Sequence, residues 1–500
     1  MNLPDKAAAY RALESHDARF DGLIFVGVKS TGIYCRPVCP ARTPKYENCT
    51  FYDSAAAAQE AGYRPCLRCR PETAPQLSPW RGTSNTVSRA LTLIAEGALD
   101  GENSSVDRLA ARLGMGERQL RRLFLQQLGV SPISVAQTRR VLFAKQLIHD
   151  TNLPMTEVAL AAGFTSLRRF NEVFQNLFHR PPSSLRREAG TDIPDSDGGT
   201  TLRIRYRPPY DWNSMLNFLA ARAIPGVEVV NNGLYRRTIE IDGKVGTISV
   251  KHLPQRQSLC LTIHFPLVQA FPGIVNRVRR LFDLGANIET INEHLFLDEK
   301  LAPLIARRPG LRTPGGWDGF ELAVRAVLGQ QVSVAAARRL AGQLVQLHGR
   351  GLPNDVTNHD ELTHCFPTAE CLVNVPSLGL GMPIARLNTL KAVAQAAVAN
   401  SDLFRSSRSI DEAVSHLRRI PGIGEWTAQY IALRALREVD AFPASDIGLL
   451  RGARKIVGEP VTPQHLLQWS ELWRPWRAYA AQHLWAADAD CNQASQDSSA

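Results

Sequence analysis

A chain of 500 residues is too long for one ordinary hydrophobic core, so several domains of about 100 to 200 residues each are expected. Its net charge of +11 and pI near 9.4 point to a polyanionic partner, and its composition is that of a soluble globular protein. No run of about 18 apolar residues occurs, and Met1-Asn2-Leu3-Pro4-Asp5 lacks the order of a signal peptide, which predicts a cytoplasmic protein with no membrane partner.

In chain order, the first feature is a pair of cysteine pairs, Cys35 and Cys39 as C-x3-C, then Cys66 and Cys69 as C-x2-C. Four thiols so spaced can close a tetrahedral shell around one Zn²⁺. Such a centre is either a structural staple or a reactive thiolate, and spacing alone leaves both open. The other cysteines, Cys49, Cys260, Cys365, Cys371 and Cys491, are isolated and expected to be inert.

Two stretches rich in Pro, Gly, Ser, Asp and Thr, Pro71 to Asn85 and Gly190 to Thr200, divide the chain as linkers. Between them the pattern is helical. Val106, Leu109, Ala110 and Leu113 repeat at helical spacing, Gly114 interrupts, and Leu120, Leu123 and Phe124 resume. Val158, Ala159 and Ala162, a turn at Gly163, then Phe170, Val173, Phe174 and Leu177 repeat that design, which predicts two helix-turn-helix units. Arg118, Arg121, Arg122, Arg168 and Arg169 fall on their second helices, the ones that would enter successive major grooves.

From Thr201 to about Ile263 the period shortens to that of strands, as in Thr238 to Ile241 and Gly246 to Val250, with turns at Gly233 and Asp242-Gly243. Helices return after Pro314, with candidates at Phe320 to Leu347, broken at Gly329, and at Lys391 to Asn400. The last ten residues, CNQASQDSSA, have a disordered composition. Leu417 to Ala428 has the form L-x-x-I-P-G-I-G, a helix-hairpin-helix whose Gly422 and Gly424 let backbone amides approach a DNA phosphate. Asp446, twenty residues after Trp426, makes this grip a candidate enzyme.

The run Thr31 to Cys39, with Gly62 to Cys69, resembles the N-terminal domain of the Ada family of methyl-accepting repair regulators. The resemblance implies that Cys35 is both metal ligand and methyl acceptor, with a DNA methylphosphotriester as substrate. A methylated phosphate has lost its charge and can approach a tetrathiolate centre of formal charge −2. Transfer brings the centre to −1 and restores the phosphate charge, which should strengthen DNA binding. Arg36, Arg42, Lys45, Arg64 and Arg68 are then expected to hold flanking phosphates. Thr31 and Arg64 match the family's DNA-contact positions, while Pro40 stands where a basic residue is usual. The paired helical units resemble the AraC-type DNA-binding module, which implies promoter DNA and RNA polymerase as partners and activation that depends on Cys35 methylation.

The hairpin with Asp446 resembles the helix-hairpin-helix glycosylase superfamily, in particular the AlkA-type 3-methyladenine DNA glycosylases. This second likeness extends from about Leu202, through Pro208 to Trp212, Phe218 to Ala223 and Leu328 to Ser333, as far as Arg474 to Arg477. It implies hydrolysis of the N-glycosidic bond of bases such as 3-methyladenine and 7-methylguanine. Ionised Asp446 would stabilise the oxocarbenium-like sugar, and Phe218, Trp426, Tyr430 and Trp485 would receive the flipped, cationic base. Trp426 occupies the place of the lysine nucleophile of bifunctional members, which implies no lyase chemistry. Asp440 does not hold the catalytic position. Gln331 stands where the DNA wedge can be leucine, and Ile447 where some members have an aromatic. No remaining cysteine has the Pro-Cys-His-Arg context of a second methyltransferase.

Together these readings predict a multidomain α+β protein. It comprises a four-cysteine zinc domain (1–75), an all-α double helix-turn-helix domain (86–188), a small α+β domain (201–300) and an all-α helix-hairpin-helix glycosylase domain (301–490). Expected are one Zn²⁺, no organic cofactor, alkylated double-stranded DNA as partner and a cytoplasmic, bacterial nucleoid-associated location. The rival is a purely regulatory DNA-binding protein with an inactive glycosylase half.

Overall fold

A computed structural model describes residues 5–74, 85–101, 104–186, 198–353, 361–375, 379–400, 402–404 and 409–497, without the side chains of 85 and 491–497. The chain folds as two compact units, Met1–Arg207 with Val250–Asn276, and Pro208–Ser249 with Arg277–Ala500. The stretch expected to be a separate α+β domain, 201–300, is thus shared between them. Much of the two expected linkers, 75–84 and 190–197, lies outside the described residues.

The first unit opens with α1 (Lys6–Glu14), β1 (Phe25–Val28), β2 (Ile33–Cys35), β3 (Cys49–Tyr52), α2 (Ala55–Glu60) and β4 (Arg64–Pro65). The sheet order is β3-β1-β2-β4, with β1 antiparallel to β2 and β3. β2 and β4 run parallel, Tyr34 opposite Pro65. This pairing does the first work of site building, because the next residue on each strand is a cysteine, Cys35 and Cys66.

Helices follow: α3 (Asn85–Ala95), α4 (Val106–Arg112), α5 (Glu117–Leu128), α6 (Pro132–Asp150), α7 (Met155–Ala161) and α8 (Leu167–Phe178). Ser105, Ser131 and Ser166 cap α4, α6 and α8 by accepting from the amide three residues on. The pairs α4/α5 and α7/α8 are the two expected helix-turn-helix units, and Gly114 and Gly163 turn at positive φ of 71° and 88°. Ala56 of α2 packs into the core of the first of them, so the cysteine region and the helical region share an apolar interior.

β5 (Thr200–Arg205) is followed by α9 (Trp212–Arg222), then β6 (Glu228–Asn231), β7 (Leu234–Ile241), β8 (Lys244–Leu253) and β9 (Ser258–His264). β5 pairs antiparallel with β9 in the first unit, and β6 with β7 in the second. The strand readings hold, including turns at Gly233, Asp242 and Gly243, all at positive φ.

The rest is helical: α10 (Phe271–Leu281), α11 (Ile288–Leu295), α12 (Ala302–Arg307), α13 (Gly319–Leu328), α14 (Val334–His348), α15 (Ala369–Asn374), α16 (Ile384–Ala399), α17 (Ile410–Arg418), α18 (Glu425–Ile431), α19 (Ile447–Val457), α20 (Pro463–Ser470) and α21 (Arg477–Asp497). The break expected at Gly329 falls between α13 and α14, and the helix expected from Lys391 begins earlier, at Ile384. The disordered reading of the last ten residues is corrected for 491–497, and 498–500 lie outside the described residues. α21 continues through Asp497, propagated from a segment whose Ala480, Ala481 and Leu484 are anchored in the core. Two apolar cores fill the second unit, one around α13, α16 and α18, the other around α11, α19 and α21. Trp485 packs against both.

Candidate metal centre and candidate active site

In the first unit, the parallel register of β2 and β4 sets Cys35 beside Cys66, and the Cys66 amide donates to the Tyr34 carbonyl at 3.0 Å. Cys39 and Cys69 follow on the two short loops. All four Sγ atoms lie within 4.8 Å of one another, with Cys39, Cys66 and Cys69 buried and Cys35 partly exposed. A tetrahedral zinc tetrathiolate needs sulfurs about 3.8 Å apart, so the donor set and spacing fit Zn²⁺. Of the four residues, Cys35, the expected acceptor, is the most exposed. The Arg36 amide donates to Cys69 Sγ at 3.4 Å and the Arg68 amide to Cys66 Sγ at 3.3 Å, backbone bonds that favour sulfur as thiolate. The thiols also bond one another, and Cys39 is pulled down to about 7, chiefly by Cys35.

Thr31, Arg42, Lys45 and Arg68 are exposed and Arg64 is half-buried, so each is available to a phosphate. Arg36 is not. It is buried, with Nε donating to Asp21 Oδ1 at 2.6 Å and Nη1 to the Cys69 carbonyl at 3.0 Å and Thr73 Oγ1 at 2.9 Å. Its reading as a DNA contact is therefore corrected: Arg36 ties the second cysteine loop to the sheet.

Sequence reasoning also missed Lys145, fully buried in the middle of α6. Its Nζ donates to the Cys66 carbonyl at 2.9 Å and to Glu72 Oε2 at 2.6 Å. Glu72 in turn pairs with Arg70, which reaches Asp150 at the end of α6. The helix joining the two helix-turn-helix units is thus bonded directly to a cysteine loop. Glu72 and Thr73, at the start of the expected linker, are buried parts of this network. On the second helices, Arg118, Arg122, Arg168 and Arg169 are exposed, while Arg121 is half-buried and pairs with Glu117 at 2.6 Å.

In the second unit, Asp446 is the N-cap of α19, and its Oδ1 accepts the Leu449 amide at 3.0 Å. The Trp485 Nε1–H donates to Oδ1 and the Trp426 Nε1–H to Oδ2, each at 2.8 Å. Both oxygens are held by neutral N–H donors, which fix the orientation of the carboxylate. Small residues make this possible. A Cβ at Gly452 would lie 2.2 Å from the Leu484 carbonyl, and one at Gly448 3.0 Å from both Asp446 Oδ1 and Trp485 Cδ1. These glycines let α21 lie close enough to α19 for Trp485 to reach Asp446.

Trp426 stacks on Tyr430, 5.4 Å between centroids at 16°, and Tyr430 meets Trp485 edge to face at 6.4 Å. Phe218 of α9 reaches the same group through Arg434, whose guanidinium lies over Phe218, Tyr430 and Trp485 alike. The four expected aromatics therefore converge, all partly exposed, and a buried arginine that the sequence reading did not find lies among them. Asp440, by contrast, is engaged by Arg477 at 2.8 Å.

The hairpin carries exposed Gly422, at φ 85°, and exposed Gly424, the N-cap of α18. A Cβ at Gly422 would fall 1.8 Å from Thr389 Oγ1. Gln331 is exposed, at φ 57°, in the turn between α13 and α14. Its neighbour Gln330 bonds the Gly422 carbonyl at 3.1 Å and Thr427 Oγ1 at 3.0 Å, locking that turn to the hairpin. Ile447 is 67% exposed beside Asp446. Of the isolated cysteines, burial pushes the Cys365 thiol up to about 12, consistent with inertness; Cys491 has no described side chain.

Three family models match the chain: the metal binding domain of Ada over residues 8–72, a helix-turn-helix domain over 109–188, and the AlkA N-terminal domain over 201–318. A probable bifunctional transcriptional activator/DNA repair enzyme AlkA of Mycobacterium tuberculosis is 41% identical over 487 residues, 96% of each chain. DNA-3-methyladenine glycosylase 2 of Escherichia coli is 36% identical over 285 residues, 56% of this chain and 95% of that one. Among solved structures, a 3-methyladenine DNA-glycosylase from Archaeoglobus fulgidus has a TM-score of 0.51 at 22% identity, covering 57% of this chain and 98% of that one, which shows a shared fold.

Proposed function

The chain belongs to the family of bifunctional transcriptional activators and DNA repair enzymes that join an Ada-type to an AlkA-type half, and from that premise we propose how its two reactive side chains divide the work. It is a DNA alkylation-repair and response protein with a zinc-binding, a helix-turn-helix and a DNA glycosylase part. The observation that carries the finer reading is the carboxylate of Asp446, held at both oxygens by indole N–H groups within a cluster of four aromatics.

Asp446 acts as an anion beside the sugar. As the C1′–N bond breaks, its electron pair goes to the base, positive charge grows on the sugar, and the fixed carboxylate stabilises it while water adds to C1′. Trp426, where a lysine nucleophile would stand, leaves no amine to form a covalent intermediate, so the enzyme is monofunctional. Alkylated bases such as 3-methyladenine and 7-methylguanine are the substrates. Gly422 and Gly424 present amides to the backbone phosphate, and Gln331 enters the duplex.

In the other half, one Zn²⁺ bound by Cys35, Cys39, Cys66 and Cys69 keeps the Cys35 sulfur as a thiolate at neutral pH. Cys35 Sγ takes the methyl carbon of a methylphosphotriester: the S–C bond forms, the C–O bond breaks, and the phosphate keeps the electron pair. The thioether is stable, so the reaction happens once per chain. Thr31, Arg42, Lys45, Arg64 and Arg68 face the flanking DNA, and Arg118, Arg121, Arg122, Arg168 and Arg169 the promoter. Lys145 gives the helix-turn-helix pair a direct bond to the cysteine loop, which supports methylation-dependent activation through RNA polymerase in the cytoplasm.

The test is base release from methylated duplex DNA by the wild type and Asp446→Asn in parallel. Release by the wild type alone is expected. Equal release by both removes Asp446 from the mechanism, and release by neither favours the purely regulatory reading.

A further inference from the structure

The aromatic cluster at Asp446 has a cation built into it. Arg434 lies in the π-helical turn Ala432–Leu436 that prolongs α18, and only 2% of it is exposed. Its guanidinium carbon is 4.6 Å from the ring centroid of Phe218, 4.9 Å from that of Trp485 and 5.8 Å from that of Tyr430. Nη1 donates to the Pro314 carbonyl and Nη2 to Gln482 Oε1, each at 2.9 Å, and both acceptors are neutral. Among the described residues no carboxylate pairs with it, whereas buried Arg237 and part-buried Arg325 of the same unit both face Glu321. Burial draws its pKa down to about 10, which still leaves it charged at neutral pH. Arg222 also stacks on Phe218, at 4.0 Å, but is partly exposed to screening water.

Trp485 connects this cation to the carboxylate: its ring face meets Arg434 and its Nε1–H meets Asp446. We infer that Arg434 and Asp446 act as an opposed charge pair, positive on the base side and negative on the sugar side, whose field drives the bonding electrons of the glycosidic bond toward the base. This rests on the reading of Asp446 and the aromatics as the base-excision site.

The chemistry gives the inference a signature. When the C1′–N bond breaks, an N3- or N7-methylated purine passes from cation to neutral base, and the water that adds to C1′ releases its proton. A neutral purine passes toward an anion and takes up that proton. In both cases the base becomes more negative in the transition state, and a fixed positive charge beside it favours the change. Before reaction the cases differ, because Arg434 repels only the cationic base. Arg434 therefore speeds the chemical step on both classes and weakens binding of the cationic class alone.

Single-turnover excision from duplexes carrying 7-methylguanine or hypoxanthine separates the maximal rate from the half-saturating enzyme concentration. Gln482→Glu sets a carboxylate on the existing partner of Arg434 and quenches its field while keeping the guanidinium; Arg434→Met removes the charge and Arg434→Lys keeps it. Gln482→Glu and Arg434→Met are each expected to slow both substrates on the order of tenfold. They should also lower the half-saturating concentration severalfold for 7-methylguanine only, with Arg434→Lys close to the wild type. A purely structural role makes the variants slower without tighter binding, and that result overturns the inference, as does an unchanged rate in folded Gln482→Glu. If Arg434→Met does not fold, Gln482→Glu decides alone. If the wild type excises neither base, the glycosylase reading itself fails, which is a different outcome from a working wild type with indifferent variants.

Discussion

The two side chains proposed to react are held by opposite means. Cys35 ends a short strand, is partly exposed, and owes its setting to three cysteines on neighbouring loops. Asp446 starts a helix, and its oxygens are fixed by a helix amide and two indoles, of which that of Trp485 packs against both cores. A sulfur consumed once, as proposed for Cys35, needs access and a metal to hold its charge. A carboxylate that returns unchanged after every turnover, as proposed for Asp446, needs preorganisation, which close packing at Gly448 and Gly452 supplies.

The sharpest way to break that contrast is to exchange the losses. Cys35→Ser is expected to abolish methyl uptake from methylphosphotriester DNA, read by mass spectrometry of the intact chain, while base release stays at the wild-type rate. Asp446→Asn is expected to lower base release by a factor of roughly 10³ or more while uptake still reaches one methyl per chain. A single variant that removes both activities would mean the halves do not act separately.

The next largest effect lies under the cysteine loops. Lys145→Met leaves Glu72 buried with Arg70 as its remaining cationic partner, and the cost to unfolding is expected to be about 3 to 5 kcal/mol. Adding Glu72→Gln should cost less than the sum of the single changes, since the pair is lost together. Denaturant unfolding of the zinc-loaded chain measures both. Additive costs would show that the contact between α6 and the loop is incidental.

These buried charges mark where sequence reading stops. The four cysteines, the two helix-turn-helix units and the hairpin are legible because their spacing is local, and Asp446 because it stands at a fixed distance from the hairpin. Lys145, Gln330 and Arg434 make bonds to residues 79, 92 and 48 positions away, and a lone Lys, Gln or Arg carries no sign of burial. The same default misplaced Arg36, whose basic side chain beside a reactive cysteine reads as a phosphate contact until Asp21 is seen to neutralise it inside the fold. The composition of residues 491–497 misleads for a related reason: a polar stretch is helical when the turns before it are packed.

A smaller effect tests how far the indoles fix Asp446. Trp485→Phe keeps an aromatic ring against Arg434 and removes one hydrogen bond to a charged oxygen, worth about 1.5 to 3 kcal/mol. A fall in the single-turnover rate of roughly 10- to 100-fold is expected, with Trp426→Phe similar at the other oxygen. Far smaller losses in both would assign the hold on Asp446 to the Leu449 amide.

The smallest effect is one of pH, and it separates the units by stability. His483 lies in α21 two residues before Trp485, and burial holds its pKa down to about 4 against an ordinary 6.5. Between those values the unfolded chain binds a proton that the folded chain refuses, so stability falls as pH drops from 6.5 toward 4 and is unaffected above 7. A shift of that size bounds the loss at about 3 kcal/mol, with part of it recovered by relaxation. Thermal unfolding of the glycosylase unit, followed by tryptophan fluorescence, should therefore decline more steeply with acid in the wild type than in His483→Gln. Parallel declines would mean that His483 takes up its proton within the fold, and that α21 yields to admit water near the helix turn that supports the Asp446 carboxylate.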